Sequence, residues 1–137
     1  MRLEDRTATP EEHQRLAEAA GWQGHFDDEL RAASLAASLA GTVCVDDAGR
    51  VIGMARAVGD GWQYAYIQDV IVHPAHEGEG IATALVERLV EQLRPPPGAE
   101  LFLGLFASPE AVGVYERLGF SAEDALGMHR RIRAAEE

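Results

Sequence analysis

The sequence predicts an α/β fold: a mixed, mostly antiparallel central sheet with helices on both faces. Three observations carry this. Residues 42–73 hold three strand-like runs joined by short turns, the pattern of an antiparallel meander. Residues 78–94 show the cleanest helical periodicity in the chain, and a short apolar run at 100–106 follows them. A strand, a helix and a second strand in that order join parallel strands by a right-handed crossover, so antiparallel and parallel pairing meet in one sheet.

Residues 2–7 form a short strand candidate. Thr9-Pro10-Glu11-Glu12 announces a helix: Thr9 caps, Pro10 suits the first helical position and Glu12 completes a capping box. That helix is expected to run to Ala20 and stop at Gly21. A second is expected from about Asp27, with Leu30, Leu35 and Leu39 on one face and Gly41 as its stop. Residues 42–45 and 50–58 flank Asp46-Asp47-Ala48-Gly49 as a hairpin, and Gly59-Asp60-Gly61 turns the chain into the run 62–73, which Pro74 ends. In the helix from Gly78, Ile81, Leu85, Val86, Leu89, Val90 and Leu93 share a face, and Pro95-Pro96-Pro97-Gly98 breaks it. Ser108-Pro109 opens a further helix that Gly119 closes, and residues 127–133 offer a final strand. The order is β-α-α-β-β-β-α-β-α-β, with no repeat and no linker, which reads as one domain over 1–137.

Composition narrows the function. The net charge is −11, with all twelve basic residues arginine, which argues against nucleic acid as a partner and leans toward a neutral or cationic substrate. The acidic excess also serves plain solubility. Without lysine, Schiff-base and P-loop lysine chemistry are excluded. No apolar run reaches the roughly 18 residues of a membrane span, and no membrane partner is expected. The charged start MRLEDRTATPEEH lacks the apolar stretch of a secretory signal, so cytoplasm is the default compartment. The single cysteine, Cys44, rules out an internal disulfide and reads as a buried hairpin residue. His73 and His76 lack a third or fourth ligand nearby, so no metal is expected.

The chemistry starts where the run 62–73 meets the periodic helix, at Glu77-Gly78-Glu79-Gly80-Ile81-Ala82-Thr83. Small residues leave the backbone uncovered, and a helix N-terminus presents unpaired N–H groups and a positive dipole end to an anion such as a diphosphate. A plain tight turn into a helix is the competing reading. No Gly-Lys-Ser/Thr follows, which removes the P-loop, and the preceding antiparallel sheet removes the dinucleotide fold.

These residues resemble the GNAT acyltransferase superfamily. Its phosphate motif, Gln/Arg-x-x-Gly-x-Gly/Ala, lies on Glu77-Gly78-Glu79-Gly80-Ile81-Ala82; residues 66–74, YIQDVIVHP, are similar to its fourth strand; Tyr115-Glu116-Arg117-Leu118-Gly119-Phe120 is similar to its Tyr-x-x-x-Gly-Phe helix end. The resemblance is specific over 62–120 and loose over 1–41. It implies a sheet splayed between strands four and five, where the pantetheine arm of acetyl-CoA, the cosubstrate, lies along Val70 to Val72. It places the diphosphate on the amides around Gly78, Gly80, Ala82 and Thr83, with Glu77 at the motif's first position and Ser108 near the cofactor. Val70 and Val72 also read as core, and Ser108 as an N-cap. Glu77 and Glu79 stand where Gln, Lys or Arg is usual, which predicts weakened binding; Arg88 or Arg117 is a compensating candidate.

The implied reaction is direct attack of a primary amine, most simply a small molecule, on the thioester. Tyr115 matches the family's acid for the leaving thiolate, with a packed helix aromatic as its alternative. The Val72 N–H is the oxyanion donor candidate. Asp69, alone in an apolar run, is the candidate base if burial raises its pKa; a carboxylate tied to Arg56 is the alternative, and a water chain serves as well as His73 or better. Trp22, His25, Phe26, Tyr64 and Tyr66 are candidates for an acceptor pocket or for core. A catalytically idle acyl-CoA-binding sensor is the competing function, and a homodimer is left open.

Overall fold

The computed structural model describes residues 1–22, 24 and 26–135. The elements are β1 (Arg2–Glu4), α1 (Pro10–Ala19), α2 (Arg31–Ala36), β2 (Ala40–Val45), β3 (Val51–Gly59), β4 (Tyr64–Val72), a 3-10 turn (Pro74–His76), α3 (Ile81–Leu93), β5 (Phe102–Gly104), a second 3-10 turn (Pro109–Ala111) and α4 (Val112–Arg117). Two compact units divide the chain, residues 1–105 and 106–137. The first holds the whole sheet, ordered β1-β2-β3-β4-β5, antiparallel throughout except for β4 and β5, which run parallel across the α3 crossover.

Carboxylates set the turns. Asp46 accepts the N–H groups of Ala48 and Arg50 at 2.9 Å in the β2–β3 hairpin. Asp60 accepts those of Trp62, Gln63 and Tyr64 at 2.8–3.0 Å before β4. Such side-chain mimics of a backbone turn fix where each strand starts. At α1 the predicted capping box is present: Thr9 Oγ1 accepts from Glu12 N at 3.2 Å, and Thr9 N donates to Glu12 Oε1 at 2.9 Å.

Neighbouring strand residues point to opposite faces, and β3 shows what covers each. Met54 packs in a cluster with Leu16 of α1 and Leu35 of α2. The adjacent Gly53 lies against Ile81 and Leu85 of α3. The helices therefore lie on both faces, as expected. Ile81, Leu85, Val86 and Leu89 of α3 are buried, each contributing about 1.5–3 kcal/mol by removal from water.

Four expectations need correction. The second helix starts at Arg31, not near Asp27, because the Asp27 carboxylate accepts from Glu29 N at 2.9 Å and holds the chain in a turn. Gly41 does not stop that helix; it is already in β2, where a Cβ would lie 2.6 Å from Thr7 Cα. Residues 127–133 form no strand. Met128 and Ile132 are over 80% exposed, and Arg130-Arg131 breaks the alternation a half-buried strand needs, so this segment gains no ladder among the described residues. The later helix also splits into the 3-10 turn and the six residues of α4.

The Gly41 contact is with backbone, which cannot swing aside. Gly41→Ala is expected to lower stability by about 1–3 kcal/mol, read as a shift of the urea midpoint with unchanged slope.

Candidate functional site

The β3–β4 ladder contains an irregularity that shapes everything near it. Arg56 pairs with Gln68 and Met54 with Ile71, so Asp69 and Val70 together oppose the single residue between. Asp69 sits in the left-handed region at φ 55°, the conformation of a bulge. Beyond the bulge, His73 N donates to Ile52 O at 2.8 Å, and Val72 is paired with Gly53. Bonded and non-bonded pairs alternate along an antiparallel ladder, so Val72 turns its N–H and C=O away from β3, and Val70 lies on the same edge. The parallel ladder with β5 covers only Tyr64–Tyr66 against Phe102–Gly104. At its end Gly104 leaves room for the Tyr66 ring, which a Cβ would meet at 2.8 Å. The strands part there, and the β4 edge at Val70–Val72 stays without a ladder to β5.

Val72 leads through the Pro74–His76 turn to α3. Gly78 and Gly80 both adopt φ 79°, and a Cβ on either would meet only open space. Gly80 is the N-cap of α3 and supplies no side chain; Ala84 N is the first to bond back, to Gly80 O at 3.1 Å. The amides of Ile81, Ala82 and Thr83 therefore lack helical partners and end a 13-residue helix whose dipole is positive there. Glu77 and Glu79 flank this opening, both exposed, with Glu79 in contact with His76 Nδ1 at 3.2 Å.

On the other face, Asp69 lies on a cavity of about 230 Å³ shared with His13 of α1, Phe26, and Leu30, Ser34 and Leu35 of the α2 region. Arg56 Nε donates to Asp69 Oδ2 at 2.8 Å, and both side chains are about one-tenth exposed. The other Arg56 donors bind Ser34 O, Ser34 Oγ and Ser38 Oγ, all at 3.1 Å. Arg31 Nε donates to His13 Nδ1 at 3.0 Å, which puts the His13 proton on Nε2, facing Asp69 Oδ2 at 3.5 Å. That contact is too long for a well-made hydrogen bond, and Nε2 has no other partner among the described residues. Burial pushes the Asp69 carboxyl up, but the polar hydrogens of His13 and Arg56 and the Arg56 charge outweigh it and hold the group below the ordinary carboxylate value. The expectation of a raised pKa is thus overturned: the alternative, a carboxylate tied to Arg56, is what the structure shows.

A strand edge splayed open by a bulge and a glycine-flanked helix start match a known pattern. The profile of the acetyltransferase (GNAT) family matches residues 4–120. The chain belongs to the acetyltransferase (GNAT) family. It is similar to serotonin N-acetyltransferase 2, chloroplastic, of Oryza sativa subsp. japonica, 42% identical over 80 residues, 58% of this chain and 39% of that protein. It is also similar to histone acetyltransferase TAP1 of Glycine max, 40% identical over 74 residues, 54% of this chain and 31% of that one. The chain thus spans well under half the length of these relatives. In fold it is similar to SA2161 of meticillin-resistant Staphylococcus aureus, with a TM-score of 0.81 at 23% identity, covering 96% of this chain and 100% of that one.

Within this GNAT framework the first unit brings Asp69, Val70, Val72, Glu77, Gly78, Gly80, Ala82 and Thr83 onto one strand–turn–helix segment. Tyr115 and Ser108 belong to the second unit. Tyr115 stands on α4, half-buried, its ring edge-on to Phe120 at 5.9 Å, and burial pushes its phenol up, so it stays protonated at neutral pH. Ser108 precedes the Pro109–Ala111 turn and makes no side-chain capping bond. Arg88 does not compensate the acidic loop: it grips Asp5 through two bonds of 2.7 and 2.6 Å. Of the acceptor-pocket candidates Phe26 lines the cavity, Trp22 stacks on it at 6.5 Å, and Tyr64 and Tyr66 stand exposed on β4; His25 lies outside the described residues. His73 Nδ1 accepts from Ala75 N, and the described residues contain no group of three metal-ligating side chains. His13 and Arg31 were not anticipated. His13 shares the buried face of α1 with Leu16 and Ala17, and a titratable residue on an apolar stripe was the available signal.

Removing one partner of a buried ion pair strands the other. Arg56→Met is expected to cost about 3–5 kcal/mol at pH 7. Asp69 has a folded pKa below its unfolded value, so its contribution is present above about pH 4 and fades as pH falls through the folded value. The gap between the two proteins should therefore narrow in urea titrations at about pH 3.

Proposed function

We propose that this chain transfers an acetyl group from acetyl-CoA to the primary amine of a small molecule. The observation that carries the reading is the continuity of a free β4 edge at Val70–Val72 with the uncapped, glycine-flanked start of α3. An extended arm with amide groups fits such an edge as an added strand, and a diphosphate fits three open amides with no Cβ in the way. Acetyl-CoA supplies a thioester, whose carbonyl carbon bonds to the amine nitrogen as its bond to sulfur breaks.

The chain's residues then have distinct tasks. The outward N–H of Val72 donates to the carbonyl oxygen as charge gathers there. Tyr115, kept protonated by burial, gives its proton to the departing sulfur. The amides of Gly78, Gly80, Ala82 and Thr83 hold the diphosphate, with Glu77 beside it and Ser108 as a further cofactor contact, both assigned on the family resemblance. Asp69 is tied to Arg56 and held below the ordinary carboxylate value, so in this reading the amine proton leaves through water. The names of the relatives span serotonin and histone, so the choice of a small acceptor rests on the cavity rather than on them. The second reading, acyl-CoA binding without turnover, is favoured by one feature, the carboxylates of Glu77 and Glu79 at the phosphate opening with Arg88 committed elsewhere.

Thiol release from acetyl-CoA with a mixed amine panel tests the reading, with calorimetry of CoA as its binding control. Tyr115→Phe should abolish most thiol release and leave CoA affinity intact; intact release would remove Tyr115 from the mechanism. Gly80→Val, which forces a β-branched residue to φ 79°, should weaken CoA binding and leave the fold in place. Glu77→Gln should tighten CoA binding about two- to fivefold at low salt, with the gain shrinking as salt rises.

A further inference from the structure

The cavity under Asp69 has a composition that selects its occupant. At about 230 Å³ it is smaller than the roughly 300–1,000 Å³ of drug-sized sites, so it suits a compact molecule. Phe26, Leu30 and Leu35 give it an apolar wall, with Phe26 held edge-on against His13 at 4.5 Å. Its cations are already neutralised. Arg56 has its donors on Asp69, Ser34 and Ser38, and Arg31 is bound to Asp28 at 2.7 Å and to His13. A carboxylate or phosphate on the ligand would find no unpaired positive charge among the described residues that line it. The carboxylates differ. Asp27 lines the cavity without a cation among the described residues, and Asp69 is held through Oδ2 alone: Oδ1 accepts no hydrogen bond from any described residue. Oδ1 is thus an ionised oxygen with free lone pairs that opens into the cavity beside the apolar wall. It can accept an N–H donor from a molecule seated in the cavity. His13, only 2% exposed, turns Nε2–H toward Asp69 Oδ2 at 3.5 Å without a well-made bond, so the polar floor is incomplete as it stands. The bulge aims Asp69 into this cavity while the next residue, Val70, faces the free β4 edge.

We infer that the cavity is the acceptor site, that it takes a compact primary amine on an apolar aryl or alkyl body without an anionic group, and that Asp69 Oδ1 accepts an N–H of that amine. The inference rests on the acetyl-transfer reading and adds the acceptor's class and the group that orients it. Asp69 then acts by position: it presents the nitrogen toward Val70–Val72 without taking its proton.

The test uses the full chain with acetyl-CoA and four acceptors: 2-phenylethylamine, glutamate, glucosamine 6-phosphate and a short lysine peptide blocked at its N-terminus. 2-Phenylethylamine is expected to exceed each of the others at least about tenfold in kcat/KM, and Phe26→Ala to raise its KM about tenfold with the KM for acetyl-CoA unchanged. Asp69→Asn should raise the amine KM by about tenfold or more, the effect of losing a charge-assisted hydrogen bond. If that variant does not fold, the Phe26→Ala result and direct calorimetry decide. Preference for the peptide or for an anionic acceptor overturns the inference and leaves the acetyl-transfer reading standing, as does a Phe26→Ala variant with unaltered amine KM. If no acceptor releases thiol, calorimetry of 2-phenylethylamine separates the two: millimolar or tighter binding lost in Phe26→Ala supports the site and sinks the transferase reading, and no binding overturns both.

Discussion

The bulge at Asp69–Val70 is the feature from which the rest of the site follows. Two residues set against one make β4 bend and twist where its neighbour β5 ends, so the strands part instead of pairing on. The same extra residue turns the Asp69 carboxylate onto the α1–α2 face while Val70 and Val72 keep the open edge. A regular strand would have paired further with β5 or placed the carboxylate elsewhere. The left-handed backbone at Asp69 is unfavourable for a residue with a Cβ. The guanidinium of Arg56, four times hydrogen-bonded, over-determines it.

That ion pair explains a division of labour. Buried charges are held only when their partners are complete. Arg56 is completed by two serines of the α2 region, and Asp69 by Arg56 on one oxygen with the other left open. The most buried ion pair between a guanidinium and a carboxylate in the first unit therefore fixes geometry and leaves Arg56 no free donor face for a phosphate. The other arginines of residues 1–105 are committed too: Arg2, Arg6, Arg31, Arg50, Arg88 and Arg94 to carboxylates, and Arg15 to the Val51 carbonyl. In that unit the open main-chain amides at the start of α3 are left as donors for an anion under the proposed reading, and there Gly78 and Gly80 matter through their bare backbone.

Much of this was legible in the sequence. The meander, the α3 periodicity, the capping box and the parallel return strand are local signals, and each formed where turn chemistry and spacing put it. The uncapped, glycine-flanked start of α3 was legible because glycine is how a sequence writes bare backbone. Asp69 was found as an anomaly, a charge in an apolar run, but its acidity was misjudged because the groups that set it are distant: Arg56 is thirteen residues away, and His13 and Ser34 come from helices far along the chain. The start of α2 was lost to a single carboxylate, Asp27, whose turn competes with helix. Residues 127–133 carried strand-like composition, but a strand exists only with a ladder partner, and composition does not supply one.

The acidity of the chain takes on a different meaning beside these contacts. A net charge of −11 suggested a cationic or neutral partner only in bulk, through a field that salt screens within about 10 Å. Inside the Asp69 cavity the same preference is local and unscreened, since the arginines there are matched and a carboxylate oxygen is not. Under the proposed reading, bulk charge and cavity chemistry agree in sign for the acceptor, whereas the diphosphate of acetyl-CoA would meet Glu77 and Glu79 at the start of α3. The α3 dipole and three open amides act at contact distance, whereas the two exposed carboxylates act through water. Contact terms outweigh screened ones at such a site, so acidic residues around the start of α3 are compatible with the proposed anion there.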